Sequence, residues 1–325
     1  VHQEGDKIRV TPEQKKKKYR ILYEVLFKDP RIPVKTIKSI LGRPQTARLR
    51  IREAFEKQYI VGPEIRKRSF LNLREYVYFI KCENPELLFL ELRENENVIY
   101  HCQMSGFCNL FVIAKKRIKI KGTIILEGYR TDYHISYVLN CLWEKKIQNA
   151  KKKIENFNPE EYVPKGTLKS HFDQTVEWDP KDEALYRYFK YNLRKPFAPV
   201  MKKNKVSKDK FLRFLERLPE YCTIATSYFP ETLSAYDHYL FMFETDYEDF
   251  LIDLFSGFPT TCWFFKVADK LFMRAYIPTK LVRNVNFQVA VNKWYLPVLM
   301  MELLERKIVK RKLHAMAEYF WAKDI

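Results

Sequence analysis

The chain runs twice through one order of elements, and this repetition constrains its fold more than any single motif. From residue 12 three helical segments lead into strand, helix, strand, strand; from residue 180 the same order returns in different letters. In the first pass, "TPEQKKKKYRILYEVLFKDP" offers Thr11 as N-cap, Pro12 at the first helical position and Gln14 as capping-box partner. Ile21, Leu22, Val25 and Leu26 form its apolar stripe. A second helix is predicted over Val34–Leu41, with Ile37, Ile40 and Leu41 inward, Lys35 and Lys38 outward, and Gly42 ending it. "YVYFIKCE", "NPELLFLELREN", "VIYHCQMSG" and "FCNLFVIAKK" read as strand, helix and a strand pair turning at Ser105-Gly106, and "GTIILEGYRTDYHISYVL" adds further strand.

A basic amphipathic helix, "NCLWEKKIQNAKKKIENF", and a polar linker separate the two passes. The second opens on Asp179 as cap with Pro180 behind it, and Ser207 caps its third helix, "VSKDKFLRFLERL". "YDHYLFMFET", "DYEDFLIDLFS", "TTCWFFKVAD" and "KLFMRAYIP" supply strand, helix, strand, strand. The tail from Lys293 to Tyr319 predicts a long apolar and basic helix, kinked near Pro297, that packs on the body or on a second chain.

The third segment decides what the first pass is for. "TARLRIRE" alternates like a strand, but Ala47, Ile51, Ala54, Phe55 and Gln58 make one helical face over the whole segment. As a helix it sets Gln45, Arg48, Leu49 and Arg52 on a second face, with Thr46, Arg50, Glu53 and Lys57 on a flank. Three short helices with a turn before the third, followed by "YIVGPEIRKRS", match a winged helix-turn-helix, and a β-α-β-β order with a returning strand matches a ferredoxin-like unit. The expected fold class is therefore α+β: a winged helix-turn-helix over 1–70 and a ferredoxin-like domain over 71–138. A basic helix and linker follow over 139–178, then a degenerate second winged helix over 179–230 and a second ferredoxin-like domain with a C-terminal helix over 231–325.

Charge agrees with an anionic partner. The net charge is +19, and residues 1–70 carry 19 Lys/Arg against 8 Asp/Glu. No apolar run reaches membrane-spanning length, so no membrane partner is expected, and a polar N-terminus fits a cytoplasmic protein. The six cysteines, without CxxC or zinc-finger spacing, are expected as small core residues rather than metal ligands, with a Cys102/Cys108 redox pair as the minority reading. Double-stranded DNA is the leading partner. Gln45, Arg48 and Arg52 suit base edges, while Lys35, Lys38, Arg43, Arg50, Arg66, Lys67 and Arg68 suit phosphates, and Thr46 lies beside them. The second third-helix adds Lys205, Lys208 and Arg213, suited to backbone contact or retained only as structure.

The segments "IKSILGRPQTARLRIREAFEKQYIVGPEIR", "YVYFIKCENPELLFLEL" and "NVIYHCQMSGFCNLFVI" resemble the leucine-responsive/asparagine regulator (Lrp/AsnC) family. Arg50-Ile51, "YIVG" and Ser105-Gly106 carry the resemblance over roughly the first 135 residues. It implies a DNA-binding transcriptional regulator whose ferredoxin-like domain dimerises and binds a small-molecule effector. Asn109 stands where the family's turn usually has Asp, and Gln58 where it usually has Gly. Duplication implies either a homodimer or a monomer paired internally.

Catalysis finds little in the sequence: the six histidines are scattered, no cofactor is expected, and the chain is not expected to be an enzyme. "GYRTDYHIS" gathers Arg130, Asp132, Tyr133 and His134, read first as a strand whose arginine pairs with its aspartate. The alternative within the resemblance is a sirohaem-decarboxylase-like enzyme, to which Arg130, Tyr133 and His134 would contribute. A non-specific nucleic-acid-binding or scaffold protein is a third reading.

Overall fold

A computed structural model describes residues 11–41, 44–279 and 295–324, apart from the side chains of Pro44, Gln45, Thr46 and Tyr295. The chain is of the mixed α+β class, as expected. α1 (Pro12–Lys28), α2 (Val34–Leu41) and α3 (Pro44–Glu56) pack around Tyr19, Tyr23, Leu26, Ile37 and Ala54. Thr11 and Gln14 form the predicted capping box. Of the predicted inward residues of α2, Ile37 and Leu41 are buried, but Ile40 is 45% exposed. α6 (Pro180–Phe189), α7 (Ala198–Asn204) and α8 (Lys208–Tyr221) form a second trio, capped at Asp179 and Ser207, around Leu185, Phe189, Phe211 and Phe214.

The strand after each trio is not a free wing. β1 (Ile60–Lys67) pairs antiparallel with β7 (Cys222–Tyr228), from Ile60 opposite Tyr228 to Lys67 opposite Cys222. Ile60 and Tyr228 pack on the first trio, Ile65 and Cys222 on the second, so the ribbon crosses both. Gln58, just before β1, takes a left-handed φ of 55°, a conformation that glycine adopts most easily.

All other strands among the described residues join one nine-stranded sheet. β2 (Tyr76–Lys81), β3 (Val98–Gly106), β4 (Leu110–Ala114) and β5 (Thr123–Tyr129) lie in the order β5-β2-β4-β3. Helix α4 (Pro85–Glu94), capped by Asn84, covers the outer face at Tyr76, Tyr78 and Ile80. β8 (Tyr236–Glu244), α9 (Glu248–Ser256), β9 (Trp263–Val267), β10 (Lys270–Pro278), α10 (Tyr295–Glu305) and β11 (Arg311–Ala322) repeat that strand order as β11-β8-β10-β9. On their outer face, α9 and α10 pack with α5 (Trp143–Glu155). β6 (His134–Ile135) adds a short edge beside β9.

The tail corrects the sequence reading. Its helix stops at Glu305, and the residues expected to continue it form β11, which pairs with β8 on one side and β3 on the other. Gly106 belongs to this seam as well as to a turn: a Cβ there would come 2.4 Å from the His314 carbonyl oxygen. Strand alternation sends Val77 and Phe79 into the layer between the two halves of the sheet, where Phe79 stacks on Phe272 at 4.3 Å between centroids. Phe79→Ala should cost roughly 3–5 kcal/mol in a urea unfolding titration, because it opens a cavity among the closely packed rings of Phe111, Phe265 and Phe272.

Candidate active site

The apolar inter-sheet layer becomes polar at one end, under the β1–β7 ribbon. On β10, Phe272 lies in the core, and Arg274 and Tyr276 follow it on the same face. Tyr276 sits opposite His238 of β8. Arg274 Nε donates to His238 Nε2 and its Nη2 to the Tyr276 hydroxyl, both at 3.0 Å, and its guanidinium lies 5.5 Å from the Trp263 ring centre. Desolvation, with Arg274 adding to it, holds the His238 pKa well below the usual histidine value, so the ring is a neutral acceptor. Among the described residues, Arg274 has no carboxylate within ion-pair distance.

Two further arginines approach from the ribbon side. Arg66 pairs with Glu64 at 2.6 Å and also donates to the Lys190 carbonyl. Arg130, 1% exposed, donates from Nε to Glu75 at 2.9 Å and stands 4.1 Å from the centre of the Tyr133 ring. It therefore pairs with Glu75 rather than with Asp132, as the sequence suggested. Asp132 instead accepts from the Ser69 amide and hydroxyl, each at 2.8 Å.

Arg66, Tyr100, Tyr133, Tyr191 and Arg274 line a cavity of about 50 Å³. Burial raises the phenol pKa of Tyr133, against the pull of Arg130, so it is protonated at neutral pH. Glu75, Ile99, Tyr186 and Lys190 also line a wider cavity of about 270 Å³ that leads outward. Lys67, Arg74, Lys115, Arg187, Lys190 and Lys323 surround this mouth, against Glu75, Glu183 and Asp324. A basic mouth over an arginine and phenol floor suits an anionic ligand.

The residues expected to touch DNA divide. Arg48 is exposed and Arg52 is 67% exposed, its nearest carboxylate Glu56 at 3.7 Å. Lys35, Lys205, Lys208 and Arg213 are exposed and Lys38 half-buried. Arg43 lies outside the described residues, as do the side chains of Gln45 and Thr46. Arg50 is corrected: it is 7% exposed and hydrogen-bonds Glu53, facing the trio's interior rather than a phosphate. Arg66 and Lys67 are likewise drawn inward by the ribbon, Lys67 to Glu183 at 2.6 Å, while Arg68 is half-buried, 3.7 Å from Asp132.

Of the residues offered for an enzyme, Tyr133 lines the floor, Arg130 stands behind it, and His134 packs against Phe264 outside it. The sequence reading missed Arg274, and His238 was counted only as scattered. Arg274 and Tyr276, two residues apart on an otherwise apolar strand, were the available signal. The described residues contain no group of His, Cys, Asp and Glu that could hold a metal ion, and no helix long and apolar enough to cross a membrane.

No family model matches the chain, and no curated protein does. Among solved structures it is similar to the siroheme decarboxylase NirDL, at TM-score 0.48 and 10% identity over 94% of this chain and 92% of that one. It is also similar to NirDL in co-complex with an iron-uroporphyrin III analogue, at TM-score 0.47 and 10% identity over 95% and 92%. Both of these solved structures are of an enzyme, against the expectation from the sequence that this chain is not one. A likeness at this level assigns no chemistry to the present chain, which its side chains must supply.

The buried Arg50–Glu53 contact has a pH signature. Burial works against the Glu53 carboxylate, but Tyr19, Arg50, Lys57 and Lys15 outweigh it and hold the pKa at about 2. A depressed carboxylate stabilises the fold above its unfolded pKa and loses that contribution as pH falls through its folded value. Glu53→Gln should lower stability by about 1–3 kcal/mol at pH 7, with the difference from wild type shrinking between about pH 5 and pH 2 in urea titrations.

Proposed function

We propose that the chain is an enzyme whose cleft binds a flat polycarboxylate, a tetrapyrrole of the sirohaem kind, and removes a carboxylate as CO2. The supporting observation is Arg274: a guanidinium at the cavity floor whose hydrogen-bond partners are an imidazole and a phenol and which has no carboxylate partner among the described residues. A substrate carboxylate would complete it. In the reaction, the bond between the side-chain carbon and the carboxylate breaks, CO2 departs, and the electron pair stays on that carbon. Tyr133, placed in the floor beside Arg130, delivers the proton, so R–CH2–COO⁻ and H⁺ become R–CH3 and CO2. Arg130 stabilises the resulting phenolate until solvent reprotonates it.

The test is a spectroscopic titration with iron-uroporphyrin, and anaerobic incubation with sirohaem followed by mass spectrometry. Wild type should bind and release CO2. Arg274→Ala should weaken binding between about tenfold and a hundredfold, the range of a lost charged hydrogen-bond pair. Tyr133→Phe should bind normally and turn over slowly. Absence of wild-type binding would overturn the reading.

In this reading the two helical trios with β1 and β7 are winged helix-turn-helix units, and the two sheet halves are ferredoxin-like units, arranged as a tandem Lrp/AsnC-type pair. The first half departs from the pattern, because residues 115–122, where a second helix would lie, carry none. A second reading, sequence-specific DNA binding by a transcriptional regulator, is favoured by the exposed Arg48 and Arg52 on α3. In a low-salt gel shift, Arg48→Ala with Arg52→Ala should reduce sequence preference, by about 1–3 kcal/mol for each arginine–base pairing removed. Wild type that shifts no duplex sinks this second reading.

A further inference from the structure

The throat of the cleft is occupied by the protein's own carboxylate. Asp324, just past β11, accepts from Arg187 Nε at 3.0 Å and lies 3.6 Å from Lys190 Nζ. Lys190 is 6% exposed and lines both the floor and the mouth. Arg187 and Asp324 line the mouth and also a separate groove of about 410 Å³ bounded by Lys195 and Lys203. Their ion pair therefore partitions a cleft whose floor and mouth alone sit at the low end of the volumes that hold a cofactor-sized ligand. Asp324 holds this position at φ 70°, in the left-handed region.

We propose that Arg187 and Lys190 form a carboxylate subsite at the throat, and that Asp324 is an internal competitor which a substrate carboxylate must displace to enter. This deepens the reading of the cleft as a polycarboxylate site and rests on it. Displacement exchanges one carboxylate for another on the same two cations, so it leaves no buried charge unpaired. It also merges the mouth with the groove behind the ion pair. Burial pushes the Lys190 ammonium down to about 8 while Asp324 pulls the other way, so losing Asp324 leaves a more nucleophilic amine.

The experiment compares wild type, Asp324→Ala and Asp324→Glu in two measurements. The first is the rate at which an amine-acylating reagent modifies Lys190 at pH 8, read by peptide mass spectrometry against the exposed Lys145 of α5 as internal reference. Asp324→Ala should speed it several-fold and Asp324→Glu should restore the slow rate; equal rates in all three overturn the proposal. The second is iron-uroporphyrin affinity, which Asp324→Ala should tighten by about tenfold. Unchanged affinity with faster acylation overturns the subsite and leaves the proposed function standing. If no variant binds the porphyrin, the proposed function fails, and benzenehexacarboxylate becomes the probe: protection of Lys190 in Asp324→Ala supports the subsite, and no protection overturns it.

Discussion

The architecture depends on one strand having two partners. β11 supplies the outer strand that the second sheet half needs and, on its other edge, takes the exposed edge of β3. A strand edge left bare is a row of unpaired donors and acceptors, and here each half covers the other's. The close approach at Gly106 lets the seam form, and the Phe79–Phe272 stack fills the space it encloses. Because the seam fixes how the halves face each other, it also fixes the layer whose polar end becomes the cleft.

That cleft is made of residues distant in sequence. Arg66 comes from the ribbon, Arg130 and Tyr133 from the connection between β5 and β6, Lys190 from the end of α6, and His238 and Arg274 from β8 and β10. The net charge of +19 suggested an anionic partner on the outside. Burial redirects part of that charge inward: Arg50, Arg66 and Arg130 are spent on Glu53, Glu64 and Glu75. Arg274 differs in leaning on an imidazole and a phenol, and the proposed function rests on this difference more than on the number of cations.

Local signals in the sequence were legible where local physics decides. Thr11, Asp179 and Ser207 cap the helices they were expected to cap, and in the predicted strand β2 simple alternation puts Phe79 on one face and Tyr78 on the other. The α3 helix won over the strand reading because its apolar stripe runs the full segment. Long-range pairing was not legible. Nothing in "YIVGPEIRK" announces β7 as its partner, so residues assigned to a free wing appear inside a ribbon. The tail failed for a related reason: "RKLHAMAEYFWA" carries good helix formers, and two flanking strands override that propensity. Arg274 and Tyr276 were visible as polar residues on an apolar strand, but His238 gains its meaning only from register.

The β1–β7 ribbon and the β3–β11 seam both lie within one chain. Their closure is thus a unimolecular equilibrium governed by loop entropy, where two separate chains would face an association constant. Dilution cannot separate the two trios, and the cleft beneath the ribbon is as complete at nanomolar concentration as at millimolar. A cleft shared between separate subunits would empty as its dimer dissociated, and its activity per molecule would fall with concentration. Here the assembly is written into the covalent connectivity, so scarcity of the protein does not dismantle the site.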